Sequence, residues 1–303
     1  MTPVSVVIPC FNQARFLDDA IQSVAIQSDP TAQIVVVDDG STDDTAMVAR
    51  RHARVEYLYQ RNCGLAAARN AGLRRSAGQY VVFLDADDRL LPGALGAGVV
   101  CLEASPDAAL AVGRYRHIDA AGTRVSPDSN PCPDDDLYLN LLRSNCIGMV
   151  ASVMFRRQAI EQMHGFDSRL RACEDYDLYL RLARQFASSA HQSVVAEYRL
   201  HSGAMSRDPA LMLSTGSTVL KRQRRHARRS STLRAAWRDG VSWIQRAYGE
   251  QLLDELRSRQ PASLSVRIGR IAIALRYYPR GLIRRYMSSL RALLEQSLDQ
   301  RDA

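Results

Sequence analysis

Tyr80-Val81-Val82-Phe83-Leu84-Asp85-Ala86-Asp87-Asp88 passes from an apolar run straight into three acids. A short β-branched and aromatic run with polar residues behind it reads as a buried strand, and the acids mark its exit. Asp85 and Asp87 are two residues apart in an extended segment, so their side chains share one side. The same pattern occurs three times upstream. Val4-Ser5-Val6-Val7-Ile8 runs into Pro9-Cys10-Phe11-Asn12. Ile34-Val35-Val36-Val37 runs into Asp38-Asp39-Gly40-Ser41-Thr42-Asp43. Val55-Glu56-Tyr57-Leu58-Tyr59 runs into Gln60-Arg61-Asn62-Cys63-Gly64. Helical patterns separate them: Phe16, Leu17, Ala20, Ile21 and Val24 recur at three and four residues, and 43–52 and 65–76 follow suit. This alternation predicts an α/β fold with a parallel sheet covered on both faces. Ligands in such sheets bind beyond the carboxyl ends of the strands, and all four polar exits fall on that edge.

The residue types at the edge narrow its chemistry. There is no G-x-G-x-x-G after the first strand and no P-loop, so the common dinucleotide and ATP cradles are absent. Carboxylates dominate. They repel a diphosphate unless a hard divalent cation lies between, and Mg²⁺ is typically held by one or two carboxylates plus phosphate oxygens. Asp39 adds a second inference. An ionised carboxylate only accepts hydrogen bonds, which suits the imide N–H of uracil or thymine or the N1–H edge of guanine, and not the cytosine N3 acceptor. Asp43 suits a helix cap.

Four motifs in order carry a resemblance: Val6-Val7-Ile8-Pro9-Cys10-Phe11-Asn12, Val36-Val37-Asp38-Asp39-Gly40-Ser41-Thr42-Asp43, Gly64-Leu65-Ala66-Ala67-Ala68-Arg69-Asn70-Ala71-Gly72 and Phe83-Leu84-Asp85-Ala86-Asp87-Asp88. They resemble the family 2 glycosyltransferases, inverting sugar transferases of the GT-A fold, over roughly residues 1–210. The resemblance implies a Rossmann-like, mostly parallel sheet flanked by helices. It implies that Pro9, Phe11 and Asn12 line a nucleoside pocket and that Asp39 binds the base. Arg69 and Asn70 would sit near the ribose and diphosphate. Asp85 would contact ribose or sugar, and Asp87 would hold a divalent metal, Mg²⁺ or Mn²⁺. The expected donor is a UDP, dTDP or GDP sugar.

Further along, 123–136 is rich in proline, serine and aspartate and reads as a long surface loop. Ala151-Ser152-Val153-Met154-Phe155 reads as a strand rejoining the sheet. Leu178, Leu182 and Phe186 recur every four residues, so Cys173-Glu174-Asp175-Tyr176-Asp177 opens an amphipathic helix. Acids there suit the helix dipole. The resemblance gives them another part: Glu174 and Asp175 match the family's acceptor-side signature, with Asp175 as general base. Ser193-Val194-Val195-Ala196-Glu197-Tyr198-Arg199 reads as a last strand, and His201 beyond it resembles a family histidine that ligates the metal or binds the diphosphate. The Q-x-x-R-W motif of processive synthases is not found, so a single transfer to a glycan or lipid-linked acceptor in cell-surface polysaccharide synthesis is expected. Two rivals stand beside it. One is a sugar-phosphate nucleotidyltransferase, which should carry a glycine- and lysine-rich loop where Pro9-Cys10-Phe11-Asn12 stands. The other is a catalytically silent nucleotide-sugar-binding or scaffolding member of the same fold.

Composition sets the frame. The 303 residues are 46% hydrophobic and 24% charged, which excludes a disordered chain and a coiled coil. No apolar run is long enough to span a bilayer and the first residues do not read as a signal peptide, so the expected location is cytoplasmic or peripheral on the cytoplasmic face of the membrane. Six scattered cysteines without a C-x-x-C pair read as reduced thiols rather than a zinc site. Residues 1–198 carry 19 basic and 24 acidic side chains, and 199–303 carry 21 and 8. The expected division is therefore a transferase domain over 1–210, with a nucleotide-binding half (1–92) and an acceptor half (93–210), and a basic helical region over 211–303. Its dense run at 221–229 reads as a solvated helix face or linker. A stretch over 266–278 and a helical face through Leu282, Ile283, Tyr286, Leu290, Leu293 and Leu294 follow. These helices either pack on the first domain or lie on an anionic membrane. Basic charge alone is poor evidence for nucleic acid, which is set aside.

Overall fold

The computed structural model describes residues 4–27, 33–133, 135–258 and 263–285. It separates into two compact units, 1–204 and 205–303.

The first unit is an α/β layer structure. Strands β1 (Val4–Cys10), β2 (Gln33–Asp38), β3 (Val55–Tyr59) and β4 (Tyr80–Phe83) pair in parallel in the order β3-β2-β1-β4. Helices α1 (Ala14–Ala25), α2 (Thr45–Arg50) and α3 (Leu65–Arg75) connect them. β1 is buried along its whole length, as expected of a β-branched run covered on two faces. Helix α3 comes so close that a Cβ at Gly72 would lie 2.2 Å from Val7 Cγ1 and 3.2 Å from Val37 Cγ2. Only a glycine lets the helix sit that low on the sheet.

The second half of the sheet is mixed. After β5 (Arg89–Leu90) and α4 (Ala94–Glu103) come β6 (Ala108–Ile118), β7 (Arg124–Asp128), α5 (Leu137–Arg143), β8 (Val153–Arg156), α6 (Arg157–Gln162), α7 (Glu174–Ala183) and β9 (Ala187–Arg199). The sheet continues β4-β8-β6-β9-β5, with β7 paired to β6. β8 lies antiparallel to both β4 and β6. Two expectations shift here. The strand expected at 151–155 begins with a 3-10 turn at Val150–Ser152, and the expected loop 123–136 contains β7. β7 carries Pro127, which an edge strand tolerates because its N–H is not needed for a second neighbour. Aromatic contacts tie the halves together: Phe83 meets Phe155 at 5.9 Å and Phe166 at 4.8 Å, both edge-on.

The second unit is helical: α8 (Pro209–Ala227), α9 (Ser231–Ile244), a π-helical segment Gln245–Gly249, α10 (Glu250–Arg257) and α11 (Leu264–Tyr277). Asp208 caps α8, accepting from Ala210 N and Leu211 N. The basic run at 221–229 forms the last turns of α8 and the turn just beyond it, and Trp237 Nε1 on α9 donates to Leu220 O at 2.7 Å. Of the face expected over 282–294, Tyr286, Leu290, Leu293 and Leu294 lie outside the described residues.

Candidate active site

The parallel strands deliver their exits to one edge, and side chains there are tied to one another across the exits. Asn12 follows β1 in a left-handed conformation (φ 53°). Its Oδ1 accepts from Thr42 N at 2.8 Å, and its N–H donates to Ser41 Oγ at 3.0 Å. Asp43 accepts from Ala14 N at 2.9 Å and from Thr45 N and Oγ1, so it caps the start of α1 as well as α2. Pro9 is buried within β1, while the neighbouring Phe11 ring is 47% exposed.

Asp39 is buried and heavily used. Its Oδ1 accepts from Gln60 Nε2 at 2.7 Å and Cys63 N at 2.9 Å, and its Oδ2 from Gly64 N at 2.8 Å. Gly64 holds φ 90°, a conformation that turns its N–H toward this carboxylate and starts α3. Three of about four acceptor positions are thus filled, leaving one on Oδ2.

Arg69, expected near the ribose and diphosphate, is held between two carboxylates. It is buried, with NH1 donating to Glu174 Oε1 and NH2 to Asp85 Oδ1, both at 2.6 Å. The guanidinium also lies 5.4 Å from the Phe166 ring centroid. One cation therefore joins the exit of β4 to the first residue of α7. Asn70 is spent on the same region: its Nδ2 donates to Phe166 O and its Oδ1 accepts from Phe166 N, at 2.8 and 2.9 Å. Its amide holds a loop rather than reaching the rim.

The three acids opening α7 have different partners. Glu174 pairs with Arg69. Asp177 pairs with Arg181 at 2.7 Å, and Arg181 also holds Met163 O and Gly165 O. Asp175 makes no ion pair among the described residues, and its Oδ1 accepts from Tyr176 N at 2.7 Å. Burial raises the Asp175 carboxyl above its ordinary value, against the pull of Arg69. Burial likewise pushes Glu174 up to about 7.

Asp87 and His201 meet at the other flank. His201 Nε2 lies 2.7 Å from Asp87 Oδ2. The tautomer follows from the other ring nitrogen. Nδ1 faces Gly203 N at 3.2 Å and Arg15 NH2 at 3.3 Å, and both of these can only donate. The ring proton therefore sits on Nε2 and is given to Asp87. A metal-ligating histidine usually donates through its other nitrogen, and here that nitrogen accepts. His201 is arranged to supply a hydrogen rather than a lone pair at this place.

Arg199 is a structural partner that sequence reasoning left without a role. Its backbone N–H donates to Asp88 Oδ1 and its Nε to Asp87 O, while NH2 donates to Asp19 Oδ2. It fixes the acidic exit of β4 from the end of β9. A signal for it existed in the run Tyr198-Arg199-Leu200-His201, two residues before the histidine. The cysteines also gain a neighbourhood: Cys132 and Cys146 Sγ atoms lie 3.5 Å apart.

Does the edge suit a divalent cation? Asp87 brings a carboxylate beside Asp85, and among the described residues no group of three or more His, Cys, Asp and Glu side chains forms a cage. One carboxylate with a second nearby fits a Mg²⁺- or Mn²⁺-type ion that takes its other ligands from phosphate and water.

Comparison with known proteins agrees with this layout. Residues 5–163 match Glycosyl transferase family 2. TuaG of Bacillus subtilis, named as a teichuronic acid biosynthesis glycosyltransferase, is 30% identical over 211 residues, which are 67% of this chain and 81% of that protein. The chain spans 15% of the length of two other relatives, to which it is 41 and 42% identical over 90 residues. Among solved structures, S. aureus TarS 1-349 in complex with UDP-GlcNAc superposes with a TM-score of 0.69 at 17% identity, over 90% of this chain and 80% of that one. Mannosyltransferase PcManGT from Pyrobaculum calidifontis, in complex with GDP-Man and Mn²⁺, gives 0.62 at 20% identity, over 98% and 87%. At these identities the likeness is one of fold, and that fold is GT-A. With the family match covering more than half its length, the chain belongs to glycosyl transferase family 2.

Proposed function

We propose that this chain is an inverting, non-processive glycosyltransferase that moves one sugar from a nucleotide-diphosphate sugar to a hydroxyl of a glycan or lipid-linked acceptor, in cell-surface polysaccharide synthesis. Residues 1–92 form its donor half and 93–210 its acceptor half. The observation that carries the reading is the Asp85–Arg69–Glu174 bridge, which brings the acidic donor edge and the acid-rich start of α7 into one buried cluster. The name of TuaG and the UDP-GlcNAc and GDP-Man bound to the two solved structures support the substrate class.

Each residue has work that its surroundings support. Phe11 offers an exposed ring to the base, with Pro9 and Asn12 shaping the floor. Asp39, held by three donors, keeps one acceptor position for an imide N–H. Asp85 stands beside the ribose or sugar. Asp87 would anchor a divalent cation, which when bound supplies Lewis-acid stabilisation to the departing diphosphate. His201 orients Asp87 by donating its Nε2–H to the carboxylate. Asp175 takes the acceptor proton as the hydroxyl attacks the anomeric carbon from the far side. A raised carboxyl is a better base at neutral pH, and a positioned base is worth ~10²–10⁴-fold in rate.

A thermal-shift panel of nucleoside diphosphates with Mn²⁺ tests the donor assignment, since a ligand that binds only the native state raises the melting temperature. UDP, dTDP or GDP should stabilise the protein and CDP should do little. A clear preference for CDP would remove Asp39 from the base. Stabilisation by a nucleotide with no donor hydrolysis, with or without metal, would favour the catalytically silent nucleotide-sugar-binding alternative, and no response to any of the four its scaffolding form.

A further inference from the structure

The second unit carries a feature that sugar transfer does not use. On α11, Leu264, Ile268, Ile271 and Leu275 are 75, 58, 42 and 56% exposed. Their spacings of four, three and four keep them within about 60° of one another around the helix at ~100° per residue. The buried side of the same helix is elsewhere: Ala274 is its one fully buried residue, and the half-buried Arg270 pairs with Glu255. So α11 has an inward face and, well round from it, an outward aliphatic stripe. Solvated helices do not normally expose four large aliphatics in one line.

Charge selects what such a stripe can meet. Arg267 and Arg276, both exposed, flank it on either side, and α11 contains no acid. The whole segment 205–303 holds 20 basic and 8 acidic side chains, a balance of +12. A second copy of this chain would bring an equal positive charge against the first and be repelled. An anionic lipid surface complements both parts at once: aliphatic side chains enter the acyl boundary while arginines sit at the headgroups. Among the described residues no helix is long and apolar enough to cross a membrane, so the contact would be in the plane of the surface.

We propose that α11 is an interfacial helix that docks the second unit on an anionic lipid surface through Leu264, Ile268, Ile271 and Leu275. This inference does not depend on the donor or acceptor assigned above.

Flotation of the full chain tests it, with vesicles of phosphatidylcholine alone and vesicles containing about one third phosphatidylglycerol. Wild type should float with the anionic vesicles and stay behind with the neutral ones. Ile268→Gln with Ile271→Gln should lower the partition coefficient by about tenfold or more. Arg267→Gln with Arg276→Gln should weaken binding and flatten its salt dependence. All four positions are exposed, so both double variants should keep the wild-type melting temperature. Equal flotation on neutral and anionic vesicles, no flotation of wild type, or full flotation of a folded Ile268→Gln, Ile271→Gln variant would each overturn the proposal. So would sedimentation equilibrium showing a dimer that the isoleucine variant dissociates, because the stripe would then face a second copy.

Discussion

Replacing Arg69 by methionine keeps much of the side-chain volume and removes the cation that two carboxylates share. Breaking a buried pair typically costs ~3–5 kcal/mol, because a charge is left without its partner. Glu174 has a way around that cost. Burial already pushes its carboxyl up to about 7 from an ordinary 4.5, even beside Arg69. That rise corresponds to about 3 kcal/mol at ~1.4 kcal/mol per unit, and the wild type already carries it at neutral pH. In the variant Glu174 simply completes its protonation. Near pH 7 the expected loss is therefore only about 1–2 kcal/mol, from the Asp85 hydrogen bond and the contact with Phe166. The dependence on pH is the sharper test. A folded carboxyl raised above its unfolded value holds a proton that the unfolded chain has lost, so stability falls as pH rises between the two values. In wild type that fall ends near 7. Without Arg69 the folded value moves higher and the fall continues. The gap between the two proteins should widen by about 1 kcal/mol per pH unit above neutrality. Urea titrations at about pH 6 and about pH 8.5 measure it. A gap of the same size at both would refute the reasoning, since Arg69 would then not be setting the Glu174 charge.

Other substitutions separate donor, acceptor and packing roles. Asp87→Ala should abolish transfer and weaken metal-dependent nucleotide binding with little change in melting temperature; near-normal turnover would pass the role to Asp85 or Asp88. Asp175→Asn keeps the size and removes the base, so transfer should drop ~10²–10⁴-fold while nucleotide binding, followed by calorimetry, stays as in wild type. A product with retained anomeric configuration would remove Asp175 from that role. Gly72→Ala should destabilise the first unit by ~1–3 kcal/mol through its clash with Val7, and adding Val7→Ala should recover part of the loss in a double-mutant cycle.

Much of the first unit was legible because its signals are local. The β-branched runs at β1, β2 and β4 and the periodic faces of α1 and α7 specify element type within a few residues. The order of strand and helix then fixes which ends share an edge. That logic puts Asp39, Asp85 and Asp87 on one edge of the sheet from the residue order alone. Beyond β5 it weakened: β6 and β9 mix parallel and antiparallel neighbours, and β7 hides in a proline-bearing stretch that resembles a loop.

Partnership was decided by the tertiary structure. Arg69 and Glu174 are 105 residues apart, and nothing near either one in sequence says that burial will bring them together. The resemblance put Asn70 beside Arg69 near the donor, and the folded chain adds that its amide is bonded to the Phe166 backbone, one step and about 100° round the helix from Arg69. Cys132 and Cys146 met only when α5 folded between them. The proton of His201 was fixed by a glycine N–H and an arginine from α1. Sequence periodicity determines which groups reach the edge of the sheet. Which of them remain available there depends on the long-range contacts that neutralise the others, and those form only in the folded chain.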